Sequence, residues 1–300
     1  MLEKLAIIIL NYNTATLTIN AANYLRKLDI GASIIVVDNC SSDNSNTVIA
    51  EYSASIDDVY FVQSGKNRGY AAGNNVGIRY VRENLPYIDT IAVMNPDIKI
   101  RDKSVLEKLY STIHKNNKIG AITTKTIFNG KVREPNECAW RFMTPKVMMF
   151  RGTILGKLMK FSVYYNAFDV CDDGYAFVDV VQGCFFVIKL DVLQKVNDFD
   201  EHTFLYTEES ILAKKLYALG YKNAVMPSLY IEHNHEVKHR NLQNKNKKLF
   251  DMKCFYNSRM YYIKEYSGMN RITGDIMLLF LHVDHLVKRI LCNLKIDNVK

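Results

Sequence analysis

The chain lacks most of the features that would sort it at once. Its six cysteines, Cys40, Cys138, Cys171, Cys184, Cys254 and Cys292, contain no CxxC pair. A zinc ribbon or a thioredoxin-like redox motif is therefore unsupported, and scattered single cysteines in a chain this long point to a reducing compartment. There is no stretch of about 20 uncharged apolar residues, which speaks against a transmembrane helix. The chain opens Met-Leu-Glu-Lys and runs into the apolar segment Leu5–Leu10, too short for a signal h-region and followed by no small-residue cleavage site. The expected compartment is the cytoplasm, with a peripheral place at the inner face of the plasma membrane left open. GxGxxG, P-loop and HExxH patterns are absent, against a dinucleotide, ATP or zinc-hydrolase reading. No nucleic-acid module is recognisable, so no nucleic-acid partner is expected, and there is no internal repeat.

What is present is a chain of 300 residues, enough for one large domain or two modest ones. At this size roughly 75% of the unfolded surface is buried, so neither disulfides nor a structural metal is needed. The net charge is +8, with the basic excess concentrated after residue 235, in runs such as Lys245–Lys248 and Lys288–Arg289. Such a region is either a solvated basic face or one attracted to an anionic membrane surface or substrate.

Strand and helix signals alternate through the first hundred residues. Leu5–Leu10, Ser33–Val37, Val59–Gln63 and Thr90–Met94 are apolar runs of strand length. Between them, helical spacing recurs at Leu17, Leu25 and Leu28, at Val48 to Tyr52, and from Gly69 through Arg82. This alternation predicts an α/β fold with a mostly parallel central sheet. In open sheets of that kind ligands bind beyond the carboxyl ends of the strands. Four polar clusters fall at such ends: Asn11–Asn13, Asp38–Asp43, Gly65–Asn75 and Asn95–Asp97. Further on, Ile119–Phe128 predicts a strand turning at Asn129–Gly130, and Val178–Ile188 a strand interrupted by Gly183. Ser210–Leu219 predicts a helix closed by Gly220, Ala224–Ile231 a strand, and Ile272–Leu294 an amphipathic helix. Residues 131–177, which hold the single tryptophan, Trp140, show no clean period.

Several residues carry chemistry on their own account. Gly69, Gly73 and Gly77 share one helical face, which suits either close packing on the sheet or the approach of a nucleotide. Asp38 ends a buried-type strand, where a carboxylate is costly unless paired or used; it could accept a pyrimidine N–H. Asp97 closes Asn95-Pro96-Asp97, a proline turn read by itself. At a strand end beside other polar groups it suits Mg2+ or Mn2+, because substrate phosphates and water supply the remaining ligands. Glu208 and Glu209 stabilise a helix N-terminus or supply a general base. His233 and His235 are structural or contact a metal or phosphate.

In the order and spacing of "IIILNYNTATL", "IIVVDNCSSDNS", "NRGYAAGNNVGI", "AVMNPD", "GCFFVIKLDVL", "FDEHTFLYTEESILAKKLYALGY" and "HNH", the chain resembles the inverting family 2 glycosyltransferases of the GT-A fold, especially the bacterial rhamnosyltransferase-like branch. The resemblance covers residues 5 to about 100 and 179 to about 235. It implies a Rossmann-like GT-A catalytic domain over residues 1–235, with a nucleotide-binding half (1–100) and an acceptor half (101–235), followed by a basic, helical extension over 236–300. It implies that Asn11, Asn13, Asp38, Asn67, Gly69, Asn74 and Asn95 line the nucleotide-sugar site. Asp97 stands at the DxD position and would hold Mg2+ or Mn2+, with His233 near the diphosphate and His235 as the alternative. Glu209 would be the catalytic base where the family carries Asp, with Glu208 as the alternative. The implied partners are a nucleoside-diphosphate sugar donor and a glycan or lipid-linked acceptor in bacterial surface polysaccharide synthesis. The basic tail is expected to dock on the catalytic domain, form a homodimer or touch a membrane. Two rivals remain: a non-catalytic nucleotide-sugar or glycan-binding protein on the same fold, and a sugar-phosphate nucleotidyltransferase, which would carry a glycine-rich basic loop that Leu10–Thr14 lacks.

Overall fold

Runs of apolar residues with little polar interruption make strands that are buried on both faces, and three of the four strands expected in the first hundred residues are of this kind, the third in order, at the sheet edge, being only half-buried. A computed structural model describes residues 2–132, 136–159, 162–234 and 245–294. The first half follows the expected alternation: β1 (Leu5–Asn11), α1 (Ala15–Lys27), β2 (Ser33–Asp38), α2 (Ser45–Ala54), β3 (Val59–Gln63), α3 (Tyr70–Asn84) and β4 (Thr90–Met94). Helix α2 starts earlier than its apolar spacing predicts, because Asp43 accepts the Ser45 N–H at 2.9 Å and organises its first turn. Then come β5 (Ile98–Ile100), α4 (Lys103–Lys115), β6 (Ile119–Phe128), β7 (Lys131–Val132), β8 (Ala139–Trp140) and α5 (Pro145–Phe150). The chain continues through β9 (Ala176–Val178), β10 (Val180–Val181), β11 (Phe185–Lys189), α6 (Leu190–Lys195), α7 (Glu208–Ala218), β12 (Lys222–His233), α8 (Lys245–Tyr266) and α9 (Arg271–Leu294).

Two compact units result. The first comprises residues 1–141, 164–201 and 208–235 and contains the whole large sheet, in the order β3-β2-β1-β4-β11-β6-β12-β5. From β3 to β4 the strands are parallel; β11 enters antiparallel between β4 and β6, and β12 runs parallel to β6. Alternation along each strand divides the core between two faces. Leu5, Ile7, Ile9, Ile34 and Val36 point to the side covered by α1, α2 and α4, while Ala6, Ile8, Ile35 and Val37 meet α3, α6 and α7.

Two features depart from the expected elements. The segment read as one strand over 178–188 is three short ones with different partners: β9 on β12, β10 on β8, and β11 on β4 and β6. Polar groups cause the breaks. The Asp179 carbonyl accepts Asn223 Nδ2 at 2.9 Å, and Gln182 turns inward to bond Thr126 and Thr123 at 2.6 and 3.1 Å. Helix α4 has no counterpart in the sequence reading, although Asp102 caps it by accepting the Ser104 N–H at 2.8 Å. The Asn129–Gly130 turn is as expected, with φ of 47° and 79°, the left-handed pair that a two-residue hairpin needs.

The second unit comprises residues 142–163, 202–207 and 236–300, and its described regular elements are α5, α8, α9 and the short turn Leu155–Leu158. Aromatic pairs tie it together, including Phe150 with Phe280, Phe204 with Phe250, and Tyr256 stacked on His285. Among the described residues no helix is long and apolar enough to cross a membrane.

The glycine face of α3 serves sheet packing at its inner end. A Cβ on Gly77 would lie 2.9 Å from Ile8 Cγ2 and 3.0 Å from Val37 Cγ2, both on central strands, whereas one on Gly73 would meet the movable end of Leu10. Gly77→Ala should therefore lower stability by about 1–2 kcal/mol in urea unfolding despite a helix-propensity gain of about 1 kcal/mol, and Gly73→Ala should cost less. Stabilisation by Gly77→Ala would contradict this packing.

Candidate active site

At the end of β1 the chain must turn from a fully buried strand into α1. Asn11 makes that turn. Its Oδ1 accepts from the Thr14 and Thr18 hydroxyls at 3.0 and 2.9 Å, and its Nδ2 donates to Asp38 Oδ1 at 2.7 Å. The β1–β2 register sets the pair directly opposite one another. Asp38 also accepts the Ser41 N–H at 3.0 Å and the Ser41 hydroxyl at 2.5 Å. Both Asn11 and Asp38 are closed to solvent. Asn13, at φ 56°, is exposed and links the same loop by accepting the Ser42 N–H at 2.8 Å. The three residues singled out here are thus brought together, with Ser41, which the sequence reading has only as part of the Asp38–Asp43 turn cluster, as a fourth member.

A second cluster surrounds the start of α3. Asn67 Oδ1 accepts the Gly69 N–H at 3.0 Å and Asn39 Nδ2 at 3.1 Å. Gly69 holds φ 96°, a conformation that favours glycine. Asn74 is fully buried; its Nδ2 bonds the Tyr70 carbonyl at 2.9 Å, and among the described residues its Oδ1 finds no hydrogen-bond partner.

The third cluster lies beyond β4. The Asn95 N–H bonds the Cys184 carbonyl at 2.8 Å, and the Asn95 carbonyl accepts the Ile98 N–H at 3.1 Å, closing the proline turn. Asp97 Oδ2 stands 3.0 Å from His233 Nε2. Residues 136 apart meet because β5, directly after the turn, pairs with β12 and sets Ile98 opposite His233. The Asn234 N–H also reaches the Asp97 carbonyl at 3.1 Å. His235 lies outside the described residues.

The fourth element is the start of α7. The chain enters it through Tyr206 and Thr207 at φ 74° and 69°, unusual for residues with side chains and most of all for a β-branched one. Glu208 is buried and Glu209 half-buried. Glu209 packs so closely on Gly183 that a Cβ there would come within 2.9 Å of Glu209 Cγ and 3.0 Å of its Cδ. Tyr70 donates to the Gly183 carbonyl at 2.5 Å. Burial pushes the Glu209 carboxyl above the ordinary glutamate value, against a smaller opposing effect of backbone hydrogen bonds. Burial, then the nearby Glu209, raises the Tyr70 phenol well above its usual value. The Cys184 thiol is also raised, first by burial and then by the charges of Asp97 and Glu209. Glu209 packs on Gly183, and the next residue, Cys184, accepts the Asn95 N–H through its carbonyl at 2.8 Å, so the start of α7 and the turn that carries Asp97 both adjoin the segment 183–184. The sequence reading gives Tyr70, Gly183 and Cys184 no place in the site, though it names Gly183 as a break in a strand and Cys184 among the cysteines. Only the break in the apolar run at Gly183 signals them.

Among the described residues no three His, Cys, Asp or Glu side chains are grouped as a metal cage. Asp97 and His233 are two donors, a hard oxygen and an imidazole nitrogen, and they fit a divalent cation completed by phosphate oxygens and water.

The glycosyl transferase family 2 model matches residues 6–181. The low-salt glycan biosynthesis hexosyltransferase Agl10 of Haloferax volcanii is 31% identical over 209 residues, covering 70% of this chain and 60% of that protein's length. The rhamnosyltransferase WbbL of Escherichia coli K12 is 25% identical over 224 residues, 70% of this chain and 78% of that protein. Among solved structures, the mannosyltransferase PcManGT of Pyrobaculum calidifontis, in complex with GDP-Man and Mn2+, superposes with TM-score 0.57 at 14% identity, over 97% of this chain and 73% of that one. TarS of S. aureus in complex with UDP-GlcNAc gives 0.52 at 15% identity, over 95% and 73%. At such identities the solved structures establish the fold, which is GT-A: a curled mixed sheet with helices on both faces and a helical C-terminal part.

The Asn11 hub yields a stability prediction. Asn11→Ala removes a donor from buried Asp38 and an acceptor from buried Thr18, so urea unfolding should show a loss of roughly 2–4 kcal/mol. A change within about 0.5 kcal/mol, the range of an ordinary surface substitution, would mean that the network does not hold the loop.

Proposed function

The chain belongs to glycosyl transferase family 2, and from that membership we propose that it moves a sugar from a nucleoside-diphosphate donor to a hydroxyl of a glycan or lipid-linked acceptor, with inversion at the anomeric carbon. The observation that carries this reading is the pairing of Asp97 with His233 beyond the end of β4, on a turn bonded to Cys184, whose neighbour Gly183 packs against Glu209. The names of the relatives, a glycan-biosynthesis hexosyltransferase and a rhamnosyltransferase, support transfer of a hexose in glycan synthesis.

In this reading Asn11, Asn13 and Asp38 shape the nucleotide loop, while Asn67, Gly69, Asn74 and Asn95 complete the donor side. Asp97 and His233 would hold Mg2+ or Mn2+, consistent with the Mn2+ in the PcManGT complex; the bound ion supplies Lewis-acid and electrostatic stabilisation of the departing diphosphate. Glu209 takes the proton of the attacking hydroxyl, and burial tunes it as a stronger base than an exposed glutamate. Glutamate in place of the family's aspartate brings one more methylene to this site. Gly183, having no side chain, leaves the room for it. Glu208, more deeply buried, is the alternative base. The place of action is the cytoplasm, at the inner face of the plasma membrane.

Asp97→Ala should cut Mn2+-supported consumption of the true donor at least about a hundredfold; full retained activity would remove Asp97 from the site. A second expectation concerns pH. Because the Glu209 carboxyl is raised and acts deprotonated, kcat/KM should climb as pH rises through a value above the ordinary glutamate pKa of about 4.3, then level off. Glu209→Gln should abolish turnover while donor binding persists. Turnover in Glu209→Gln with the wild-type profile would shift the base to Glu208, and donor binding without any turnover in the native chain would favour a binding protein.

A further inference from the structure

The helical unit contains features that sugar transfer does not use. Arg259, on α8, is only 7% exposed. Its Nη1 donates to the Arg151 carbonyl at 2.8 Å, and among the described residues its Nη2 has no hydrogen-bond partner. It lines a cavity of about 530 Å3. Lys157, Lys248 and Lys288 line the same cavity, against Asp251 and Asp284, so its cations outnumber its anions by two. Asp284 is already engaged by Lys288 at 2.6 Å and by the Ile154 N–H at 2.7 Å. Burial lowers the Arg259 guanidinium to about 10, and the smaller opposing effect of the Asp284 carboxylate does not offset it, so the cation stays desolvated. Apolar side chains, including Phe255, Leu281 and Leu291, make up much of the rest of the wall, with Tyr206, Tyr256 and His285 among them. An anionic head with an apolar tail matches such a lining better than a free anion does.

Helix α9 extends the argument outward. Its inner face buries Met277, Leu281 and Cys292. Its outer face sets Ile272, Ile276, Leu279, Val283, Leu286 and Ile290 in one stripe at alternating four- and three-residue spacing, each between 42% and 75% exposed. A helix that is apolar on both sides calls for an apolar cover on the outer one. Leu291, 45% exposed, belongs to the cavity wall and to the border of this stripe. The short turn Leu155–Leu158, tied to α9 through the neighbouring Ile154 and Gly152, adds Leu158 at 86% exposure beside Lys157.

Charge decides what the cover is. Residues 236–300 hold 13 Lys and Arg against 6 Asp and Glu, a net of +7 out of the chain's +8. A second copy would bring like charge against like charge, whereas an anionic bilayer neutralises it. We propose that this unit binds anionic lipid, with the headgroup phosphate at Arg259 and the outer face of α9 lying in the apolar layer of the membrane. The helix lies in the interface plane; it does not cross. The proposal rests on the transfer reading only in giving a lipid-linked acceptor a reason to be met at a membrane.

The test uses the full chain without any donor, so its failure leaves the transfer reading standing. Vesicles of phosphatidylcholine containing about 30 mol % phosphatidylglycerol should sediment the protein at least about tenfold better than pure phosphatidylcholine, and high salt should weaken the binding. The double variant Ile276→Asp/Ile290→Asp, altered at exposed positions, should lose about tenfold or more in vesicle binding. Dodecyl phosphate should raise the melting temperature more than inorganic phosphate does, and Arg259→Met should remove the difference; Lys248→Glu, at an exposed rim position, should reduce it if Arg259→Met does not fold. Four results overturn the proposal: no sedimentation at low salt, equal binding to both vesicle types, equal stabilisation by inorganic and dodecyl phosphate, or a concentration-dependent dimer lost in the double variant while vesicle binding is unchanged. The last would assign the stripe to a second copy of the chain.

Discussion

The hydrogen bond from Asn11 to Asp38 joins the ends of the two central parallel strands in a region closed to water. A carboxylate so placed is tolerable only when its oxygens are met by donors, and here Asn11 and Ser41 meet them. The consequences spread in both directions. Asn11 turns its carbonyl oxygen to Thr14 and Thr18 and so fixes the start of α1. Ser41 also accepts the Asn13 N–H at 2.9 Å, which holds the outer lip of the same loop. The loops at the carboxyl ends of β1 and β2 are therefore held in place by polar groups that constrain one another. A polar loop without that satisfaction would be a mobile one.

This constraint explains why the first hundred residues are so legible. Leu5–Leu10, Ser33–Val37 and Thr90–Met94 are buried on both faces, so they read as unbroken apolar runs, and each ends where a polar cluster begins. Legibility fails where tertiary pairing supplies what local sequence does not. Residues 178–188 read as one strand because valine and phenylalanine dominate them, yet three different neighbours claim the pieces, and Asp179 and Gln182 mark the joints only once Asn223 and Thr126 are seen beside them. The pairing of Asp97 with His233 is of the same kind. Each residue is conspicuous alone, but their meeting depends on the antiparallel register of β5 on β12, and a three-residue strand is too short to show in a periodicity.

Gly183 illustrates the difference between a structural and a chemical reading of one residue. In a strand it looks like a weakness, since glycine adds no packing and raises the entropy cost. In the folded chain its missing side chain is the space that Glu209 occupies, and its carbonyl is the acceptor for Tyr70. The extra methylene of glutamate and the absent side chain of glycine are thus complementary. A longer carboxylate at this position does not imply a lost site when the opposing surface has receded to receive it. Burial of Glu209 follows from the same contact, so the basicity and the position of the carboxylate have one cause.

The division of charge carries a similar logic at larger scale. The unit holding the sheet and the paired carboxylates binds its charges internally, as Arg82 does with Asp198 through bonds of 2.5 and 2.6 Å. The helical unit does the reverse, carrying a net charge of +11 against the whole chain's +8 and leaving a line of aliphatic side chains uncovered. Neither property would be maintained for stability alone: like charges repel, and exposed isoleucine and leucine promote association. Together they describe a surface that is unfavourable in bulk water and favourable where an anionic layer overlies an apolar one. Under the proposed transfer to a lipid-anchored acceptor, such a surface would confine the enzyme to the plane of that acceptor and so replace a search through volume by a search over area.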